Sequence, residues 1–396
     1  MLLICIPGAL CGSLRLMFVI PKTMRAVVYR GANDLRLETV PVPRIGPGEL
    51  LVRVAACGVC PTDIKKIQYG TVPPPRIFGH ETAGTIVKIG ASGYKTQNSK
   101  FKIQNLKVGD RVALHHHVPC LDCHSCRHRA FAQCETYKRT GITAGFEPAG
   151  GGYAEFVRVM PFVLPGVVKI PAKNSFAEGA MLEPVNTVLK AVRRLNLLPG
   201  DAVLVAGQGP IGLMFTRILQ LQGIRVLATD LLESRLKLAK KFGAKWTVRA
   251  GSARCADRTS QRGVPTNLDA AIIAVPSDAA VSEALQLVRG AGQVLLFAHT
   301  KRTAKSKVQS PKSKLPQRTV FSLDLASICL DEKDLIGSYS SDFTLQTEVA
   351  RLVFSRRLDV RQLITHTFPL EQTAAAVTLA VRPTKDSLKI LVRSDT

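Results

Sequence analysis

Acidic residues and aromatic rings are both scarce in this 396-residue chain. Only 29 Asp and Glu stand against 54 Lys and Arg, for a net charge of +25, and Phe, Trp and Tyr together make up 6%. Few aromatics means few platforms for stacking bases, and no nucleic-acid recognition motif is present, so specific nucleic-acid binding is not expected. The basic excess predicts at most nonspecific association with phosphates or anionic surfaces. Long apolar runs are missing too: beyond the first twenty residues no uninterrupted stretch is long enough to cross a bilayer, so no membrane association is expected of the body. Internal repeats are not evident. With 46% apolar and 21% charged residues, wholesale disorder and collagen-like architecture are excluded. At roughly 100 to 200 residues per domain, the length predicts two or three domains.

The first residues, MLLICIPGALCGSLRLMFVI, lack a basic leading region and an early small-residue cleavage site, and Arg15 interrupts any span. Residues 1–23 are read as an extension from an upstream start, with folded sequence beginning at Met24. Lys301 to Arg318 holds seven basic residues and no acid, broken by two prolines, and reads as a solvated loop.

Cysteine is not scarce, but its placement argues against disulfides. Of ten cysteines, Cys120, Cys123, Cys126 and Cys134 crowd fifteen residues, which is metal-ligand spacing in a reducing, cytoplasmic compartment. Four soft ligands in a compact loop leave no open position, the pattern of a closed structural Zn2+ site. An iron–sulfur cluster fits less well, because the fourth spacing is wrong and no proline follows Cys134. Cys5, Cys11, Cys255 and Cys329 have no partner spacing.

From Met24 to about residue 160, short alternating or β-branched runs (AVVYR, LRLETV, LLVRVAA, GTIVKIG, RVALHHHV) predict an irregular β-rich domain. From about residue 184 the texture changes. Buried apolar runs (AVLVA, RVLAT, LDAAIIAV, QVLLFA) alternate with helical stretches, predicting a doubly wound parallel sheet. Gly207, Gly209 and Gly212 form GxGxxG between such a strand and a helix that includes Pro210 and Ile211. The glycines suit a tight turn, close approach of backbone to a pyrophosphate, and close helix packing. The next strand ends at Asp230, eighteen residues past Gly212, where a carboxylate can accept the ribose hydroxyls and would repel a 2′-phosphate, favouring NAD. Arg235 is assigned to the same cofactor site.

Three polar clusters lie among apolar segments: Cys60-Pro61-Thr62-Asp63, Gly79-His80-Glu81 and Glu183-Pro184. Together they offer a thiolate, an imidazole and a carboxylate, three ligands for a catalytic Zn2+ with one position open. For His80 alone, a structural histidine is the better reading. His115, His116 and His117 alternate faces if they lie on a strand, so packing is expected of them.

CGVCPTD (57 to 63), GHETAG (79 to 84), the four-cysteine lobe, GGYAEF (151 to 156), LEPV (182 to 185), VLVAGQGPIG (203 to 212), LITH (363 to 366) and SLKILV (387 to 392) carry a resemblance. From Met24 onward the chain resembles the zinc-dependent medium-chain dehydrogenase/reductase family, and most resembles its polyol, or sorbitol/L-iditol 2-dehydrogenase, branch. The resemblance implies an α/β fold. A GroES-like catalytic domain (24–183, with the zinc lobe at 115–138) would be followed by a Rossmann domain (184–335) and a return to the catalytic domain (336–396). It also implies two Zn2+ per chain, NAD, a small alcohol or polyol substrate, and a homodimer or homotetramer.

Residue by residue, the resemblance makes Cys60 and His80 catalytic-zinc ligands and leaves open whether Glu81 or Glu183 is the third. Asp63 supports His80, and Thr62 receives the alcohol proton. Many members continue that proton path with histidine where this chain has Lys65, which is read here as solvent-facing. Lys389 matches a position that contacts cofactor phosphate in some relatives, with a surface lysine as the alternative. Threonine 3-dehydrogenase-like activity is the neighbouring reading. A non-catalytic basic binding protein on the same fold is the reading from another class.

Overall fold

The computed structural model describes residues 19–91, 105–115, 118–140, 150–251, 265, 267–298 and 323–394. The chain opens with β1 (Thr23–Gly31), β2 (Asp34–Pro41), β3 (Leu50–Gly58) and the short helix α1 (Pro61–Tyr69). Next come β4 (Arg76–Ile77), β5 (Glu81–Ile89) and β6 (Arg111–Ala113), then α2 (His124–Arg127) and α3 (Glu135–Thr140) around the clustered cysteines. Strands β7 (Phe156–Val159) and β8 (Val168–Lys169) complete this lobe, and α4 (Phe176–Ala180) and α5 (Leu182–Val192) lead out of it.

Strand and helix then alternate through β9 (Ala202–Ala206), α6 (Pro210–Leu221), β10 (Arg225–Asp230), α7 (Glu233–Lys241), β11 (Trp246–Arg249), β12 (Leu268–Ile273), α8 (Asp278–Leu287) and β13 (Val288–Leu296). The described chain ends with α9 (Leu325–Leu330), β14 (Asp334–Gly337), α10 (Gln346–Phe354), β15 (Ile364–Pro369), α11 (Thr373–Val381) and β16 (Lys389–Arg393).

The second lobe holds a six-stranded sheet in the order β11-β10-β9-β12-β13-β14, every pair parallel. Helices on both faces bury its central strands completely, which is why AVLVA reads as a continuous apolar run and not an alternation. The strand order reverses between β9 and β12, and such a reversal opens a crevice at the carboxyl ends of the strands. The turn after Ala206 lies at that point.

The first lobe pairs β15-β16-β3-β5-β6-β8 in one sheet, with β7 also on β3, beside a three-stranded sheet β2-β1-β4. Strand β16 closes against β3 with Leu391 opposite Gly58 and Val392 opposite Cys57. The chain's last strand thus joins the sheet that leads directly into Cys60. The two lobes share one apolar cluster running from Ala56, Ala83 and Ala113 through α5 to Leu213, Met214 and Val203. Each large aliphatic side chain in it contributes about 1.5–3 kcal/mol on burial. This is a GroES-like β domain joined to a Rossmann domain.

One sequence expectation changes, and two strands appear that were not expected. The run RVALHHHV was read as a strand, but β6 ends at Ala113. One further bond, Leu114 N–H to Thr82 O at 2.9 Å, closes the pairing before the chain turns toward the cysteine lobe. His115 is fully buried, with Nε2 at 3.4 Å from Ser341 Oγ. His116 and His117 lie outside the described residues, as do Cys5, Cys11, Cys255 and the basic segment 301–318. Strands β11 and β14, four residues each, were not anticipated. Among the described residues no helix is long and apolar enough to cross a membrane.

Candidate active site and metal centres

Local chemistry at α1 puts the first site residue in place. Cys60 is the helix N-cap and its sulfur accepts the Thr62 N–H at 3.5 Å; Pro61 fits the first helical turn, and Gly70 ends the helix at φ 60°. His80 follows Gly79, whose φ of +101° and crowded surroundings demand glycine. A Cβ there would lie 2.7 Å from Cys57 Sγ and 3.0 Å from the Tyr153 backbone nitrogen. Glu81 is then the first residue of β5, and Glu183 sits in the first turn of α5.

Three chain segments thereby meet. Cys60, His80 and Glu81 hold their ligand atoms within 4.8 Å of one another, a group that does not include Glu183. Glu183 is nonetheless buried in the same cavity wall, with Thr62 nearby on α1. His80 Nδ1 meets Asp63 Oδ1 at 3.0 Å, which fixes the ring and turns Nε2 toward the other donors. Although burial disfavours the imidazolium, the charges of Asp63 and Cys60 raise the His80 pKa well above the ordinary histidine value. Burial pushes the Glu183 carboxyl up to about 7.

Asp63, Glu81 and Glu183 are buried beside the Cys60 thiol with Lys389 among them, and Asp63 Oδ2 has no hydrogen-bond partner. One sulfur, one imidazole and a carboxylate around a small space are a donor set that fits Zn2+.

Lys389 is neither at the surface nor free to hold phosphate. It is buried, with Nζ 2.6 Å from Glu81 Oε1 and 3.1 Å from Val59 O. Burial disfavours its charge, but the Glu81 carboxylate raises its pKa above the usual lysine range. Lys65, expected to face solvent, instead lines the cavity. So do Lys66, Tyr137, Tyr339 and Met214, none of which the sequence pointed to. They come from separate segments and share no motif.

The same cavity, of about 430 Å3, is bounded on the other side by the Rossmann turn. Gly207 has φ +91°, and a Cβ there would meet Val275 at 2.3 Å. A Cβ on Gly212 would lie 1.8 Å from Gly207 O, so helix α6 packs directly on the turn. Gly209 faces open space, a cradle next to the N-terminus of α6. Gly209, Pro210, Ile211 and Arg235 line the cavity, whereas Gly207, Gly212 and Asp230 shape the turn behind it. Arg235 Nε is buried without a hydrogen-bond partner, while its Nη1 lies 3.9 Å from Asp230 Oδ2 and its Nη2 donates to Ser387 O at 3.4 Å. Asp230 ends β10 with Oδ2 accepting Gln208 N–H at 2.7 Å and Oδ1 accepting Leu232 N–H at 2.9 Å. These residues fit a dinucleotide pyrophosphate.

The cysteine lobe fits a second ion. A tetrahedron with metal–sulfur distances near 2.3 Å has sulfur–sulfur edges of about 3.8 Å. Cys123 and Cys126 sulfurs are 3.5 Å apart, and those of Cys120 and Cys126 are 3.9 Å apart. All four thiols gather within 4.8 Å, and none is in a disulfide. Backbone N–H groups point at the sulfurs, Cys120 N at Cys134 Sγ and Cys123 N at Cys120 Sγ, both at 3.4 Å. Burial opposes ionisation of Cys120, but the N–H groups of Asp122 and Cys123 bring its pKa down to about 6. Cys57, in contrast, is buried at 3.5 Å from Thr82 Oγ1, and burial raises its pKa to about 12.

The family models for the alcohol dehydrogenase GroES-like domain and for zinc-binding dehydrogenases match residues 46–172 and 210–354, together more than two thirds of the chain. The chain belongs to the zinc-dependent medium-chain dehydrogenase family, whose members carry Zn2+ and a nicotinamide cofactor, and is similar to its polyol dehydrogenase branch. It is 28% identical to a sorbitol dehydrogenase of Bacillus subtilis over 383 residues, covering 94% of this chain and 98% of the relative. With a probable D-xylulose reductase A of Emericella nidulans it shares 27% identity, covering 88% and 91%. The solved alcohol dehydrogenase TADH from Thermus sp. ATN1 superposes with a TM-score of 0.74 at 26% identity, covering 93% of this chain and 99% of that one.

The contact between Asp63 and His80 gives one test. Asp63→Asn should weaken zinc at the Cys60 site about 10- to 100-fold, read by competition with a chelator, without loosening the cysteine-lobe zinc. Unchanged affinity at both sites would show that Asp63 does not orient the ligand.

Proposed function

We propose that this protein is an NAD-dependent oxidoreductase that oxidises a secondary alcohol, with polyols as its substrate class. One observation carries the reading: Cys60, His80 and Glu81 converge on the wall of a cavity whose opposite wall is the glycine turn and Arg235. Zn2+ bound by Cys60, His80 and a carboxylate would supply Lewis acidity toward the substrate hydroxyl, and NAD would accept the hydride. Glu81 is the better candidate for the third ligand, because its oxygen belongs to the close group and that of Glu183 does not.

The chain's own part is positioning and proton handling. Thr62, in the first turn of α1 and on the cavity wall, is placed to accept the proton of the substrate hydroxyl through a hydrogen bond. Lys65 lies one helical turn further on and lines the same cavity, so it stands next on the proton's route. Burial lowers its pKa below the usual lysine value, which eases that exchange. Lys389 holds the Glu81 carboxylate from the side, and Asp230 gives NAD preference over NADP. On this reading residues 24–183 and 336–396 form the catalytic domain and 184–335 the cofactor domain.

The test is NAD+ reduction, followed by absorbance, across sorbitol, L-iditol, xylitol, galactitol, threonine and simple alcohols, repeated with NADP+. Polyol-dependent turnover with NAD+ is expected. Turnover with threonine alone would move the assignment to an amino-alcohol dehydrogenase, and a preference for NADP+ would overturn the role given to Asp230.

Two further features support an intracellular homo-oligomer. Crowded free thiols in the cysteine lobe suit a reducing compartment, the cytoplasm. Among the described residues strand β14 is one edge of the parallel sheet; Leu335 on it is 39% exposed, and Leu325 and Leu330 at the two ends of α9 are 69% and 82% exposed. An edge with exposed leucines suits a second copy of this chain. Sedimentation equilibrium should find at least a dimer; a monomer at micromolar concentration would contradict it.

A further inference from the structure

Apart from the catalytic cavity, a smaller one of about 270 Å3 is walled by Arg217, Lys241, Arg356, Arg357, Asp359 and Gln362. It shares no lining residue with the larger cavity. Arg217 comes from α6, Lys241 from the end of α7, and the rest from the segment that follows α10.

The charges in it do not balance. Arg356 is committed to Glu178, Nε to Oε1 at 3.2 Å, and donates from Nη2 to Lys173 O at 3.2 Å. Asp359 is committed to Arg361: Oδ1 accepts Nε at 2.8 Å and the backbone N–H at 3.2 Å, and Oδ2 accepts Nη2 at 2.8 Å. Three cations are left without a carboxylate. Arg217 bonds only neutral acceptors, Nε to Arg357 O at 2.8 Å and Nη1 to Gln220 Oε1 at 2.7 Å. Among the described residues the side chains of Lys241 and Arg357 make no hydrogen bond or ion pair.

Like charges gathered in a concavity repel one another, and the concave wall concentrates their field on whatever enters. Arg217 is also held in place. Two hydrogen bonds fix its guanidinium plane, and its remaining N–H donors can pair with phosphate oxygens. The cavity is too small for a polymer and large enough for a compact anion.

We propose that this cavity is a second anion site, independent of the cofactor, which binds a small phosphate-bearing molecule through Arg217, Lys241 and Arg357. A diphosphate should bind better than a single phosphate, because three cations face it.

The experiment is calorimetric titration of the full-length chain with inorganic pyrophosphate and, separately, inorganic phosphate. Both are run without and with saturating NAD+, the second so that the cofactor's own phosphate subsite is filled. One saturable pyrophosphate per chain is expected, bound more tightly than phosphate. Arg217→Gln with Arg357→Gln should weaken it about tenfold or more. Lys22→Gln with Lys88→Gln, the same charge change at exposed remote positions, should leave it unchanged.

Because Arg217 also ties Arg357 O, the single variant Arg357→Gln, whose side chain supports nothing else among the described residues, should by itself weaken binding about threefold. The proposal is overturned if wild type shows no saturable binding, if binding vanishes when NAD+ is present, or if both double variants lose affinity equally, which would mark diffuse attraction to a basic protein.

Discussion

Cys60→Ser should lower NAD+-dependent alcohol oxidation by about a thousandfold, equivalent to about 4 kcal/mol of barrier, while cofactor binding persists. The sulfur is the softest donor of the Cys60, His80 and Glu81 group and is locked at the head of α1 by the Thr62 N–H. A serine hydroxyl is a far poorer ligand for zinc at neutral pH, so the metal should leave this site alone and zinc should fall from two per chain to one. NAD affinity, read by fluorescence titration, should change little, because Gly209 to Ile211 and Arg235 belong to the other wall. If the variant keeps both zincs and turns over within about tenfold of wild type, Cys60 is no ligand of consequence.

The second large effect is on stability. Cys126→Ser should remove the other zinc and lower the melting temperature by about 10 °C, on the basis of roughly 4 kcal/mol lost and about 2–4 °C per kcal/mol for a domain of this size. The lobe has little else to hold it: its buried cluster comprises Cys126, Cys134 and Tyr137, and α2 has four residues. Tyr137 also lines the catalytic cavity, and its N–H points at Cys134 Sγ at 3.5 Å. Loss of the ion should therefore raise KM for the alcohol while the Cys60 zinc stays bound. An unchanged melting curve, or loss of both zincs together, would contradict the separation of the two centres.

Much of this was legible in the chain because it is locally encoded. GxGxxG works through contacts among its own residues, such as Gly212 against Gly207 O, so a short string specifies the turn. The four cysteines span fifteen residues and close on themselves. The long apolar runs gave the parallel sheet, since burial on both faces removes alternation.

What could not be read depends on chain segments far apart in sequence. Lys389 meets Glu81 across 308 residues, and nothing in SLKILV says that its lysine faces inward when the strand pairs with β3. Strand β14 has no buried residue among its four, so it carries no apolar pattern to detect. The histidine run looked like strand because the apolar stretch Val112-Ala113-Leu114 precedes it, but β6 ends at Ala113, where the chain leaves the sheet for the cysteine lobe. Whether Glu81 or Glu183 is nearer the donors followed from the packing of α5 against the first lobe, which neither local sequence encodes.

The position of the metal decides the chemistry. Anomalous diffraction at the zinc edge, from crystals of the full-length protein purified without chelator, locates it directly. Two peaks per chain are predicted, one enclosed by Cys120, Cys123, Cys126 and Cys134 and one between Cys60, His80 and Glu81 at the cavity wall. A single peak in the cysteine lobe, with none at Cys60 even after zinc is supplied, would contradict the proposed chemistry.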